Sequence, residues 1–161
     1  MAILNDGLVK VRVKGVDQTI RWFAKEEERC KVGAQNGVMK AAEYLMQKVK
    51  SKFGSYQQTG GTGGGPWARL KIETMIKKAK KYGFSGRPLI GYGGMKESIH
   101  VIKGGKGTIS ASVGSDDPKM AHHVFGAPKK NVPPRDTLLC TAVEEKKKCH
   151  DIIADEVYKS I

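Results

Sequence analysis

Hydrophobic and polar positions follow two different periods in the first third of the chain. Apolar and basic residues alternate over residues 8–14 (LVKVRVK), which is typical of a short strand with one buried face. From Gln18 to about Phe53 the apolar residues instead recur every three or four positions, which predicts a helix. Gly33 and Gly37 fall inside that stretch, each at a cost of about 1 kcal/mol relative to alanine. The pattern therefore predicts either one long bent helix or two helices that meet at the glycines.

A glycine-rich segment follows this helix. Residues 54–66 (GSYQQTGGTGGGP) contain six glycines, and they predict a mobile loop in which nothing packs. A short basic helix is predicted next, with its end near Gly83.

The second half of the chain predicts a hairpin and a long closing helix. The expected elements are strands at 99–101 and 108–113 around a glycine-rich turn, a short helix at 119–125, and a C-terminal helix over 136–160. Asp17 and Asp136 precede helical stretches and are the predicted N-caps. Together the elements predict an α+β domain, in which two long helices pack on one face of a small, mostly antiparallel sheet.

Length and charge refine this prediction. A chain of 161 residues favours a single domain over residues 1–161. The net charge is +13, and it is concentrated: between Arg29 and Arg135 there are 20 Lys and Arg residues against five Asp and Glu residues, which leaves −2 for the two ends. Such a basic segment attracts polyanions or an acidic partner surface, and it also serves solubility.

The cysteines and the hydropathy pattern indicate the compartment. Three cysteines without a paired spacing do not predict a disulfide framework, so a reducing cytosol is expected. The N-terminal residues do not have the pattern of a signal peptide, and no apolar run approaches the length that spans a bilayer. We therefore expect a protein that is made in a cytoplasm and has no membrane partner.

The motifs of common enzymes are missing. The glycine-rich loop contains no lysine, so it is not a phosphate-binding P-loop. The adjacent His122 and His123 do not have zinc-ligand spacing, and the pair Asp116–Asp117 precedes Pro118, where it more often caps a helix. We therefore expect no enzymatic activity, no cofactor and no metal site.

The basic helix has a composition that nucleic-acid-binding surfaces share. Lysines in and beside this helix are flanked by aromatic residues, as they would be in a platform on which bases stack. The residues concerned are Lys71, Lys77, Lys78, Lys80 and Lys81, with Trp67, Tyr82 and Phe84. The alternative is that Trp67 and Leu70 anchor the helix while the lysines are solvated.

Six short motifs follow one another in a fixed order between Pro66 and Leu139. They are Pro66-Trp67 with Leu70, Thr74 with Lys77, Leu89-Ile90 leading through Gly94-Met95-Lys96 to Ser98-Ile99, Val113-Gly114-Ser115, Ala121 with Phe125-Gly126, and Pro133-Pro134-Arg135. In this order they resemble the virion-morphogenesis and tail-completion proteins of tailed bacteriophages.

The resemblance implies a structural protein of the virion neck or of the head-proximal end of the tail, made in the bacterial cytoplasm. Several copies, six if they match the tail symmetry, would form a ring that completes the tail or joins it to the head. The implied partners are a head connector, adaptor or stopper protein, a tail tube or tail terminator protein, and packaged DNA held nonspecifically in the lumen. A stand-alone basic nucleic-acid-binding module is the alternative.

The same resemblance implies two groups of site residues. The candidates for contact with lumen DNA or with a neighbouring subunit are Lys71, Lys77, Lys78, Lys80 and Lys81. The glycine-rich loop would become ordered on docking, as segments that fold on binding do. The docking candidates are Gly60, Gly61, Gly63, Gly64, Gly65 and Trp67.

Overall fold

Helices and two β-hairpins make up the computed structural model, which describes residues 2–5, 8–11, 15–84, 86–91 and 94–161. The helices are α1 (Val16–Ser51), α2 (Ile72–Tyr82), α3 (Gly94–Glu97), α4 (Lys119–Val124), α5 (Leu139–Glu144) and α6 (Lys146–Ser160). The strands are β1 (Ala2–Asn5), β2 (Leu8–Val11), β3 (Ile99–Lys103) and β4 (Ala111–Ser115). Short 3-10 turns occupy Thr62–Gly64 and Pro128–Lys130.

The fold class is α+β, as the sequence predicts. Strands β3 and β4 pair antiparallel with Val101 opposite Val113, and α1 packs on this hairpin. The core where they meet contains Val49 and Phe53 of α1, Ile99 of β3, and Met120 and Val124 of α4. The alternating apolar positions of the two strands therefore meet the apolar stripe of the long helix.

The strand predicted at residues 8–14 is present as β2. It pairs antiparallel with β1, with Leu4 opposite Val9, and this partner strand was not predicted. Residues 12–14 lie outside the described part of the chain.

The two helical stretches predicted around Gly33 and Gly37 form one continuous helix. At 36 residues, α1 is about 54 Å long, with a rise of about 1.5 Å per residue. It begins after Gly15, which has a φ of 91° and whose carbonyl oxygen accepts hydrogen bonds from both the N–H and the hydroxyl of Thr19, each at 3.0 Å. The prediction that Asp17 is the N-cap is therefore wrong, since Asp17 lies within the first turn.

Two glycines of α1 allow α6 to pack close to it. The two helices run antiparallel, and a Cβ atom on Gly33 would lie 2.9 Å from the carbonyl oxygen of Glu156, while one on Gly37 would lie 2.8 Å from Cα of Ile153. The Nζ of Lys40 also binds the carboxylate of Glu156 at 2.6 Å. The glycines that weaken helix propensity are thus the positions that let a second backbone approach.

The C-terminal helix predicted over 136–160 is interrupted. It begins at Leu139 and breaks at Glu145, whose φ of −96° and ψ of 6° are not helical. Asp136 still caps its start, because Oδ1 accepts hydrogen bonds from the N–H groups of Leu138 and Leu139 at 2.9 Å each. At the break, the Glu145 carboxylate accepts a 2.6 Å hydrogen bond from the Tyr44 hydroxyl. The interruption therefore lies where the C-terminal segment is hydrogen-bonded to α1.

Candidate functional site

An open cleft of about 1100 Å³ lies beside α2. One wall is α2 and the residues before it, and the opposite wall is the irregular segment that follows α4. Its lining consists of Thr62, Ala68, Arg69, Leu70, Lys71, Thr74, Lys78, Lys81, Tyr82, Leu89, Ile90, Gly91, Gly94, Met95, Asp117, Lys119, His123, Phe125, Gly126, Pro128, Asn131, Val132, Pro133, Pro134 and Arg135.

Positive charge dominates this lining. Six cationic side chains contribute to it, from Arg69, Lys71, Lys78, Lys81, Lys119 and Arg135, against the single carboxylate of Asp117. The rest is largely apolar, with Leu70, Leu89, Ile90, Met95 and Phe125 among the contributors. The cleft therefore combines a field that favours anions with surface that gains from burial.

The cleft divides the five candidate lysines into two groups. Lys71, Lys78 and Lys81 line it, from α2 and the residue that precedes this helix. Lys77 and Lys80 are exposed and do not belong to the lining. The sequence predicts the group of five, but it does not separate the two faces.

Lys78 stabilises the wall of the cleft through contacts within the protein. Its ammonium group donates a hydrogen bond to the carbonyl oxygen of Arg87 and lies 5.7 Å from the centre of the Phe84 ring. Burial, and secondarily the charge of Arg135, lower the pKa of Lys78 below its usual value. Lys78 therefore fixes the end of α2 to the segment that follows it, while Lys71 and Lys81 are exposed.

Arg135 lies in the wall of the cleft and is only 5% exposed. One terminal nitrogen of its guanidinium donates a 3.0 Å hydrogen bond to the carbonyl oxygen of Ala68. Its Nε is buried and has no hydrogen-bond partner among the described residues. Burial lowers the pKa of Arg135 from its usual value. The guanidinium thus keeps an unused donor in a region of low polarity, which favours an incoming acceptor.

His123 is the neighbour of Arg135 in the same wall. Its carbonyl oxygen accepts a 2.5 Å hydrogen bond from the N–H of Arg135, and its Nδ1 is buried without a partner within the described ranges. Burial lowers the pKa of His123 to about 4, and the charges of Arg135 and His122 act in the same direction. The imidazole is therefore neutral at pH 7.

Sequence reasoning did not select Arg135 and His123 as site residues. Arg135 was noted only as the end of a Pro-Pro-Arg motif, and His123 only as one of two adjacent histidines. No local signal marks Arg135, because a proline restricts its own φ and the residue before it, and not the residue that follows. Their burial depends on contacts with Ala68 and α2, which are distant in sequence.

The glycine-rich loop packs in part. Gly60 and Gly61 are buried, and the carbonyl oxygen of Gly60 accepts a 2.8 Å hydrogen bond from the N–H of Asp136. A Cβ atom on Gly60 would lie 2.5 Å from the carbonyl oxygen of Asp136. The expectation that nothing in this loop packs is therefore wrong at these positions, because the absence of a side chain is what allows the two backbones to meet.

The docking candidates separate accordingly. Gly63 and Gly64 are exposed and Gly65 is half-buried, whereas Gly60 and Gly61 are buried. Trp67 is 3% exposed, and its backbone N–H donates a 2.9 Å hydrogen bond to the carbonyl oxygen of Gln57. Trp67 therefore anchors the loop in the free subunit, while docking by residues 63–65 remains a prediction.

The proposed stacking platform has a different form from the one expected. Trp67 is buried and offers no face to a base. The rings of Tyr82 and Phe84 stack on each other, with centroids 5.9 Å apart, and the guanidinium of Arg87 lies 5.9 Å from the Phe84 ring centre. These aromatic residues thus pack at the C-terminal end of α2, next to the cleft.

Five of the six motifs that carry the bacteriophage resemblance contribute residues to the cleft. These residues are Leu70, Thr74, Leu89, Ile90, Gly94, Met95, Phe125, Gly126, Pro133, Pro134 and Arg135. The remaining motif, Val113-Gly114-Ser115, contacts this region through Ser115, whose hydroxyl lies 2.6 Å from that of Ser98. Residues that are far apart in the sequence therefore converge on one place.

Within the residues that the structure describes, no group of three or more His, Cys, Asp or Glu side chains is placed to hold a metal ion. In the same part of the chain, no helix has the length and apolar character needed to cross a bilayer.

Comparisons of the chain with protein-family models, with curated proteins and with solved structures give no match. What the cleft does must therefore follow from its own geometry and chemistry.

Proposed function

We propose that the protein is a structural subunit of a tailed-bacteriophage virion, which completes the tail or joins it to the head connector as a ring around the DNA channel. The observation that carries the proposal is the convergence of the motif residues on one cleft. Some motif residues, such as Trp67 and Ile99, belong to the core, but eleven others line one open surface that a neighbouring protein can occupy. In this role the protein performs no catalysis and needs no cofactor.

The exposed end of α1 supports assembly into a ring. Ser160, the last residue of α6, lies beside Gly33, so the first turns of α1 extend beyond the partner helix. Three large apolar side chains in these turns, Ile20, Trp22 and Phe23, are 57–62% exposed. A surface of this kind is stabilised when a neighbouring subunit covers it.

DNA in the lumen would be contacted without readout of its sequence. The two lysines outside the cleft, Lys77 and Lys80, are exposed on α2 and suit contacts with phosphate groups. The remaining partners of the proposal are a head connector, adaptor or stopper protein on one side of the ring and a tail tube or terminator protein on the other. The ring would lie at the virion neck or at the head-proximal end of the tail.

The proposal is tested by the mass and shape of the purified protein. Light scattering and negative-stain imaging, at low and high salt and with or without purified tail tubes, should show a ring alone or on the tubes. Replacing Trp22 and Phe23 together by serine should leave monomers, whereas Lys25→Ser, a control on the same exposed turns, should assemble normally.

The stand-alone nucleic-acid-binding module remains the alternative, and the same experiment separates it. A monomer that does not attach to tail tubes, but binds short duplexes with an affinity that falls with salt, would replace the virion proposal.

A further inference from the structure

We infer that the basic cleft binds an acidic peptide segment that carries apolar side chains, contributed by a partner protein. The inference rests on the proposed function only for the identity of that partner, a neighbouring component of the neck. The chemistry of the occupant is argued from the cleft alone.

The composition of the lining selects the occupant by charge and by hydrophobicity together. Arg69, Lys71, Lys81 and Lys119 contribute positive charge to the lining, and among its described residues one, Asp117, is a carboxylate. The same lining includes Leu70, Ile90 and Met95, whose apolar surface is not stabilised by contact with phosphate or sugar. A peptide in which carboxylates alternate with apolar side chains satisfies both kinds of surface.

The position of Arg135 argues against duplex DNA as the occupant. Its guanidinium lies in the wall of the cleft rather than on the rim, with an exposed fraction of 5%. The phosphates of a duplex lie on a stiff, wide rod, so they reach the rim lysines before they reach a buried side chain. A glutamate or aspartate side chain on a peptide is narrow and flexible, so it can enter the cleft and bring a carboxylate to the wall that contains Arg135.

The proline-rich wall favours binding through side chains. Pro128, Pro133 and Pro134 have no backbone N–H, so this wall cannot extend a β-ladder with a bound strand. The backbone of the wall is closed on itself by the antiparallel bridge between Ala127 and Val132. The wall is thus held in place before the peptide arrives, which reduces the entropic cost of binding.

Fluorescence anisotropy with labelled synthetic peptides tests the inference on the purified full-length chain. The first probe alternates glutamate with leucine, the second alternates glutamate with serine at the same length, and the third alternates lysine with leucine. The glutamate–leucine peptide should bind about tenfold more tightly than the glutamate–serine peptide, because only the former buries apolar area. The lysine–leucine peptide should not bind.

Matched lysine variants locate the site on α2. Replacing Lys71 and Lys81 by glutamine should weaken binding of the glutamate–leucine peptide about fivefold or more, through the loss of two partly screened charge interactions. Replacing Lys77 and Lys80 by glutamine makes the same change in charge outside the cleft and should leave the affinity within about twofold of the unmodified protein. Arg135→Gln should abolish binding, provided that it unfolds as cooperatively as the parent.

Four results would overturn the inference. They are equal affinity for the leucine and serine peptides, equal loss in the two lysine pairs, displacement of the peptide by short duplex DNA at a matched concentration of charges, and absence of measurable binding by any peptide. Because the assay does not depend on ring formation, peptide binding by a protein that forms no ring, either alone or on tail tubes, would contradict the virion proposal while leaving the cleft assignment intact.

Discussion

A Cβ atom placed on Gly37 of α1 would lie 2.8 Å from the Cα atom of Ile153 in α6, closer than such atoms approach in real structures. Gly37→Ala therefore forces two backbones apart. Overpacking of this kind costs about 1–3 kcal/mol, while the gain in helix propensity returns about 1 kcal/mol. We expect a net loss of up to about 2 kcal/mol in the free energy of unfolding, measured by urea denaturation.

The control for this prediction is Asn36→Ala, one residue away and exposed. It gains helix propensity without a packing conflict and should be slightly stabilising. Equal effects of the two substitutions would show that α6 does not pack at Gly37.

Alanine substitutions at Gly60 and at Gly63 distinguish the effect of a steric conflict from the effect of backbone strain. Both have positive φ, 80° and 66°, so alanine is strained at either position. At Gly60 the new Cβ would also lie 2.5 Å from the carbonyl oxygen of Asp136, whereas at Gly63 nothing lies within 4 Å. Gly60→Ala should therefore lower the melting temperature clearly more than Gly63→Ala, which should cost about 1 kcal/mol. Equal shifts in a thermal melt would mean that the loop does not pack on Asp136.

Burial of neutral His123 makes stability depend on pH. Its pKa is about 4 in the folded protein and about 6.5 when unfolded, so the unfolded chain binds the extra proton first. The stabilising contribution is complete above pH 6.5, falls as the pH decreases, and is lost below pH 4. Because the side chain is partly exposed, we expect a change of about 2 kcal/mol rather than the full value of the shift.

The measurement is the free energy of unfolding between pH 4 and pH 7 for the parent and for His123→Gln. The glutamine variant cannot titrate, so its curve should be flatter over this interval. Parallel curves would show that His123 is not the group responsible.

Contacts of Lys77 and Lys80 with DNA predict a change in salt dependence. Each phosphate contact contributes about −0.9 to the slope of log K against log salt. Replacing both lysines by glutamine should make the slope for a nonspecific duplex shallower by about two. Lys103→Gln with Lys106→Gln, at the exposed end of β3 and in the turn that follows it, is the control of equal charge and should change the slope less. Equal changes in the two pairs would indicate that the net charge alone attracts DNA.

Elements defined by local patterns were predictable from the sequence. The three-and-four spacing up to Phe53 predicted α1, and the alternation around residues 103–107 predicted the β3–β4 hairpin, since these patterns record which face of an element is buried. Strand β1 was missed, because four residues offer too short a pattern. The break at Glu145 was also missed, since it coincides with a hydrogen bond to Tyr44, about one hundred residues away.

The candidate site was predictable only in part. Composition and spacing brought out the five lysines of the basic helix as one group. Their division into Lys71, Lys78 and Lys81 on one side and Lys77 and Lys80 on the other depends on how α2 is rotated against its neighbours. The burial of Arg135 depends on Ala68, with which it shares no local pattern.

The length of α1 gives the molecule a mechanical property. The helix is held in the core at Val49, and Phe23 lies 26 residues before it, so the two are separated by an arm of about 39 Å. A tilt of the core by about 5° displaces Phe23 by about 3 Å, given an arm of that length. If neighbouring copies of the chain contact this end of the helix, small rotations within each subunit add up around the proposed ring and change its diameter. The inner diameter of the proposed ring would then depend on the tilt of α1 within each subunit, and not only on the contact surfaces between subunits.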